Sequence, residues 1–88
     1  MSQFSVQEIK ECLEKEIPDS VVTVRDDSEK HRGHSGFVEG QVTHIDLMVV
    51  SNEMAQLSRI DRQRSVNALL KPFFDKGLHA VSLNFSDV

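Results

Sequence analysis

Residues 41–85 read QVTHIDLMVVSNEMAQLSRIDRQRSVNALLKPFFDKGLHAVSLNF, and this stretch decides the fold. From Val42 to Val50 the residues alternate. Thr43, Ile45, Leu47 and Val49 fall on one side of a strand, and His44, Asp46, Met48 and Val50 on the other. The first set is expected to face the helices, and His44 to be a solvated or sheet-face histidine. Ser51 to Ser58 reads as a turn with room for a single helical turn. A longer helix starts near Arg59, with Val66, Leu69, Leu70, Phe73 and Phe74 at helical spacing. Pro72 conflicts with a helix interior, because it lacks an N–H and crowds the preceding turn. Either the helix bends there, or a short second helix starts with Pro72 in its first turn. Gly77 ends the helix. Leu78 to Phe85 is a further strand, with Val81, Leu83 and Phe85 on one side and His79 on that side at its beginning. Strand, helix, strand in this order implies parallel pairing through a right-handed crossover.

Working outward from this unit, Ser5 and Glu8 form a Ser-x-x-Glu capping box, and Phe4 and Ile9 stand where a hydrophobic staple would sit. Val6, Ile9, Leu13 and Ile17 define one apolar helical stripe, which Pro18 closes. Cys12 lies beside that stripe and reads as a small, half-buried hydrophobe. Val21 to Arg25 is a short β-branched strand. Residues 26–41 form a polar loop, expected to be mobile, that carries Gly33, Gly36 and Gly40 together with Lys30, His31, Arg32 and His34. A loop this long in so short a chain is usually functional or disordered. His31 and His34 are close enough in sequence to meet without regular structure. With the loop as a wide hairpin, the first two strands run antiparallel. The expected architecture is α+β, one small domain over residues 1–88: helix-strand-strand-helix(-helix)-strand, a three-stranded mixed sheet with the helices on one face.

Composition narrows the function. The chain has 88 residues, a formal charge of −4 and a pI near 5.4. No apolar run approaches the roughly 20 residues that span a bilayer, so no membrane association is expected. No basic-then-apolar N-terminus marks a secretory signal. The single cysteine, Cys12, excludes an internal disulfide and fits a reducing, cytoplasmic setting. The acidic balance argues against a dedicated nucleic-acid binder. A local basic face remains open, since Arg59, Arg62, Arg64, Lys71 and Lys76 lie on the long helix and its end. With no Trp or Tyr, a base-stacking platform would have to use Phe or His. No nucleophile–base pair and no phosphate-binding glycine loop is visible, so no enzyme is expected. His31, His34 and His79 could hold zinc with an open position, but no acidic residue is placed as a base.

Four motifs stand in order. Asp26-Asp27-Ser28 is followed by His31, Gly33, His34 and Gly36. Thr43-His44-Ile45 leads an apolar strand to Ser51. Arg62-Gln63-Arg64 precedes Val66, and Leu78-His79-Ala80-Val81-Ser82-Leu83 closes the series. Together they resemble the BolA-like family over about residues 6–85, and the loop resembles members with a His-x-Gly-His sequence. Met54 and Gln56 stand where that family commonly has Phe and Gly, and Gln63 replaces the central histidine of its Arg-His-Arg motif. The resemblance implies a fold similar to the second class of KH domains, which bind single strands through a Gly-x-x-Gly loop; no such sequence stands between helices here.

The resemblance also implies two functions. One is partnership with a monothiol glutaredoxin and glutathione, in which a [2Fe–2S] cluster is shared for iron–sulfur cluster trafficking or iron and redox regulation. The other is transcriptional regulation of the stress or morphology type, with Arg59, Arg62, Arg64, Lys71, Lys76 and the last strand meeting DNA. The first has a chemical basis. One cysteine cannot supply an all-cysteine cluster, so alone the chain would carry none. It could give imidazoles to one iron while a partner gives thiolates to the other, the division of ligands found in Rieske centres. In this reading His79 is the fixed ligand and His31 or His34, on the loop, is the second; the resemblance favours His31 as the general loop position, His34 being the additional histidine of the His-x-Gly-His members.

Overall fold

The computed structural model describes residues 4–86. Helix α1 (Val6–Glu16) begins where the capping box predicts, with the Ser5 hydroxyl accepting the Glu8 N–H at 3.2 Å. Phe4, just ahead of the cap, is buried edge-on against Phe73, with the ring centroids 5.3 Å apart. The entry to α1 is therefore tied to the core by an aromatic pair. Strand β1 (Val21–Asp26) leads into a 3₁₀ turn at Ser28–His31. Strand β2 (His44–Val50), the short helix α2 (Asn52–Ala55), helix α3 (Arg59–Asp75) and strand β3 (Ala80–Ser86) follow.

The sheet order is β1-β2-β3. β1 runs antiparallel to β2 with Val22 opposite Val49, and β3 runs parallel to β2 with Val81 opposite Ile45. Ile45, Leu47 and Val49 are buried with Val22 of β1, Ile9 and Leu13 of α1, and Val66, Leu70 and Phe73 of α3 in one core. Both helices thus cover the same face, as the alternation in β2 requires. On the other face Arg25 donates to Asp46 at 2.7 Å and Asn84 donates to Asp46 at 3.0 Å, joining the three strands through polar side chains.

Two details differ from the sequence-based expectation. Pro72 neither splits nor ends α3, which runs unbroken for 17 residues. The proline leaves only the Ala68 carbonyl without its helical N–H, and both residues lie on the solvent side, where water can replace the bond. The single helical turn that the sequence allowed within Ser51–Ser58 is formed as α2, ahead of α3. The last strand begins at Ala80, two residues later than expected, because Leu78 completes the helix end. Gly77, at φ +115°, lets its own N–H reach Phe74 O at 3.2 Å and the Leu78 N–H reach Phe73 O at 3.0 Å. This turn buries Leu78 in the core and delivers His79 to the end of the sheet.

Candidate functional site

All four histidines of the chain meet at that end. The segment from Asp26 to His31 is folded onto β2 by Ser28, which is itself buried. The Ser28 hydroxyl accepts the N–H groups of Thr43 at 2.9 Å and His44 at 3.2 Å and donates to Asp26 Oδ1 at 2.5 Å. Asp26 Oδ1 also accepts the Ser28 N–H at 3.0 Å, closing an Asx turn. The Asp27 N–H donates to the His44 carbonyl at 2.9 Å. This network is what Asp26-Asp27-Ser28 encodes. The sequence marked that triplet only as part of a motif, and its single clue was an Asp two residues ahead of a Ser.

The 3₁₀ turn then lays His31 over His44, with ring centroids 4.0 Å apart and planes within 10°. His34 stands edge-on to His31 at 5.6 Å, so the two loop histidines do approach one another. His79 is exposed and tilts toward His44 at 5.3 Å. Its position follows from β2, since the N–H groups of His79 and Ala80 both donate to Thr43 O, at 2.8 and 3.1 Å. The alternation of β3 does not reach back to His79, which lies beside His44 rather than with Val81, Leu83 and Phe85. His44 is not solvated. It is 5% exposed, because the 3₁₀ turn covers the face that alternation assigned to water. Burial, and then the neighbouring imidazoles of His31, His79 and His34, push its pKa below the ordinary imidazole value.

The rest of the loop is closed by Arg32. Its guanidinium forks between Glu29, at 2.8 Å, and Glu39, and lies 5.1 Å from the Phe37 ring. These carboxylates raise the Arg32 pKa further above its already high value, and Arg32 in turn lowers that of Glu39. The closure brings Gly36, at φ +84°, against His79, so near that an added Cβ would lie 2.2 Å from His79 Cγ. A cleft of about 210 Å³ opens beside the rings, lined by Asp27, His31, His44 and the first residues of β3. Among the described residues, no three His, Cys, Asp or Glu side chains are disposed to hold a metal ion by themselves. The three-histidine zinc arrangement is therefore not formed. Cys12 is half-buried on α1, a separate element from those that carry the rings.

The basic residues do not converge as a set. Arg59 and Arg62 line an open groove of about 450 Å³ with Gln63 and with Val81, Leu83 and Phe85 of β3. Arg62 donates to Leu57 O at 3.1 Å and lies 5.5 Å from the Phe85 ring. Arg64, two residues beyond Arg62, is turned about 200° around the helix. Lys71 lies about 18 Å along the axis from Arg59 and is paired with Asp75 at 3.1 Å. Lys76 is at the far cap of α3.

The sequence profile of BolA-like proteins matches residues 13–87. A UV-induced protein of Schizosaccharomyces pombe is 37% identical over 81 residues, covering 89% of this chain and 79% of its own length. Among solved structures, BolA1 of Arabidopsis thaliana is similar with a TM-score of 0.79 and 29% identity, covering 99% of this chain and 95% of that one. The BolA domain of SufE1 from the same plant has a TM-score of 0.76 and 32% identity, covering 92% and 88%.

Proposed function

The chain belongs to the BolA-like protein family, and from that premise we propose that it is an adaptor that shares a [2Fe–2S] cluster with a monothiol glutaredoxin carrying glutathione. The observation that carries this reading is the convergence of His31, His34, His44 and His79 at one end of the sheet. Imidazole binds iron as a neutral ligand, and a mixed set of imidazole and thiolate raises the reduction potential relative to thiolate alone. The donor set suits half of such a site, since it is rich in imidazole and its one cysteine, Cys12, lies elsewhere. His79 is exposed just ahead of β3, where its N–H donates to Thr43 O, and is assigned as the constant ligand. His31, half-buried on the 3₁₀ turn, is the loop ligand, and His34 stands next to it. That a similar BolA domain belongs to a SufE protein supports a place in cluster metabolism.

The test is anaerobic reconstitution with a monothiol glutaredoxin, iron, sulfide and glutathione, read by visible absorption and circular dichroism. The expected result is a heterodimer spectrum distinct from that of glutaredoxin alone, altered in His79→Ala and in His31→Ala. An unchanged spectrum, with no co-migration on a sizing column, overturns the reading.

A second reading, a DNA-binding regulator, is favoured by the groove where Arg59 and Arg62 border β3. It requires binding that weakens with salt and is lost in Arg59→Ala with Arg62→Ala.

A further inference from the structure

His44 has no assigned part in the shared site, yet it is the ring that both His31 and His79 face. It is the most enclosed of the four, at 5% exposure. Its Nδ1 is engaged 2.9 Å from Thr43 Oγ1. Its main chain is held on both sides, by Ser28 Oγ and by the Asp27 N–H. One face of the ring is covered by His31 at 4.0 Å.

We infer that His44 is a positioning residue: a buried flat plate against which the His31 imidazole is stacked, so that the loop ligand is already oriented with respect to His79 when the partner arrives. The inference rests on the shared-cluster reading. A ligand on an unrestrained loop loses rotamer freedom when it binds, and a surface that fixes its ring beforehand removes that cost from the binding step. His44 itself is poorly disposed to ligate, since one nitrogen is occupied by Thr43 and a ring face lies under His31.

The role needs flatness and not nitrogen, which makes it separable from ligation by two substitutions. His44→Phe keeps a flat ring at that place, and His44→Ala removes it. In the free protein, the His31 ring protons should be displaced upfield by the underlying ring and should show cross-relaxation to it. Both signatures should persist in His44→Phe and vanish in His44→Ala. In the reconstituted heterodimer, His44→Phe should retain the wild-type visible circular dichroism. His44→Ala should release iron to a chelator about tenfold faster, the low end of the loss in metal affinity that follows removal of a residue orienting a ligand.

If His44→Phe alters the spectrum as His79→Ala does, His44 is a ligand and the inference falls. It falls equally if His44→Ala leaves both the His31 resonances and the release rate unchanged. A wild-type protein that forms no shared cluster overturns the functional reading before any variant is made and takes the ligand part of the inference with it. The proton resonances then decide separately whether His44 orders His31.

Discussion

Gly36 and Gly33 share a backbone conformation, with φ of +84° and +83°, but not surroundings. A side chain at either position carries the cost of the left-handed region, about 1–2 kcal/mol. Only at Gly36 does an added Cβ meet another residue, 2.2 Å from the His79 ring, whereas nothing lies within 4 Å of one at Gly33. Gly36→Ala is therefore expected to lose more stability than Gly33→Ala in urea unfolding and, unlike it, to shift the His79 ring resonances. Equal losses with an unmoved His79 would mean that the loop does not rest on that ring. Ser28 sets the other half of the site. Its hydroxyl is the acceptor for two buried N–H groups, those of Thr43 and His44. An unsatisfied buried donor costs about 1–3 kcal/mol. Ser28→Ala should accordingly lower stability by about 2 kcal/mol or more, and Ser28→Thr, which keeps the hydroxyl, by clearly less. A Ser28→Ala protein as stable as wild type would remove Ser28 from this account.

The helices carry two features that local sequence describes incompletely. Pro72 sits in the last turn of α3 without breaking it. An interior helical proline costs about 3 kcal/mol relative to alanine, while its stiffening of the unfolded chain returns up to about 1 kcal/mol. Pro72→Ala should thus stabilise the protein by about 2 kcal/mol in chemical denaturation, and by less to the extent that water already serves the Ala68 carbonyl. A destabilised Pro72→Ala would show that the ring makes contacts that outweigh the missing bond. At the opposite edge, α1 grips β1 through one residue. Lys10 donates to Val22 O at 3.0 Å, and Glu14 accepts the Val22 N–H at 3.0 Å while pairing with Lys10 at 2.6 Å. These side chains occupy main-chain groups that an edge strand would otherwise offer to another chain. The Lys10 hydrogen bond, and then the Val22 N–H, lower the Glu14 pKa below its ordinary 4.5. Because the folded value is the lower one, the stabilisation is fully present above pH 4.5 and is lost as pH falls through the folded value. Glu14→Gln is expected to melt at a lower temperature than wild type near neutrality and to show a shallower loss on acidification. Parallel melting curves across the acid range would exclude the Glu14 contribution.

Over the whole molecule, what was legible in the sequence is what has a period. The alternation of Ile45, Leu47 and Val49 and the helical spacing of Val66, Leu70 and Phe73 identify the two layers, and they meet as expected. The nearness of His31 to His34 and the place of His79 at the sheet end were also legible, because each depends on a short span of chain. The burial of His44 was not. Alternation tells which face a residue takes but not what covers that face. The cover is a non-periodic turn held by Ser28 and by the Arg32 fork, whose contacts reach across the loop. The same limit applies to charge. The five basic residues look like one face when counted along the sequence, but only Arg59 and Arg62 share a groove, in a chain whose net charge is −4. Each neutralised phosphate contributes about −0.9 to the slope of log affinity against log salt on duplex DNA, and dedicated binders make roughly 6–10 such contacts. Two converging arginines allow a slope of only about −2. Fluorescence anisotropy with a labelled duplex should therefore show weak binding with a shallow salt slope, reduced to near zero in the Arg59→Ala, Arg62→Ala double variant. Formation of the shared cluster, which depends on ligation and not on phosphate contacts, should be unchanged in that variant. A slope several-fold steeper in the wild type would mean that Arg64, Lys71 and Lys76 reach the same nucleic acid, and the DNA reading would then take precedence over the cluster reading at this face of the molecule.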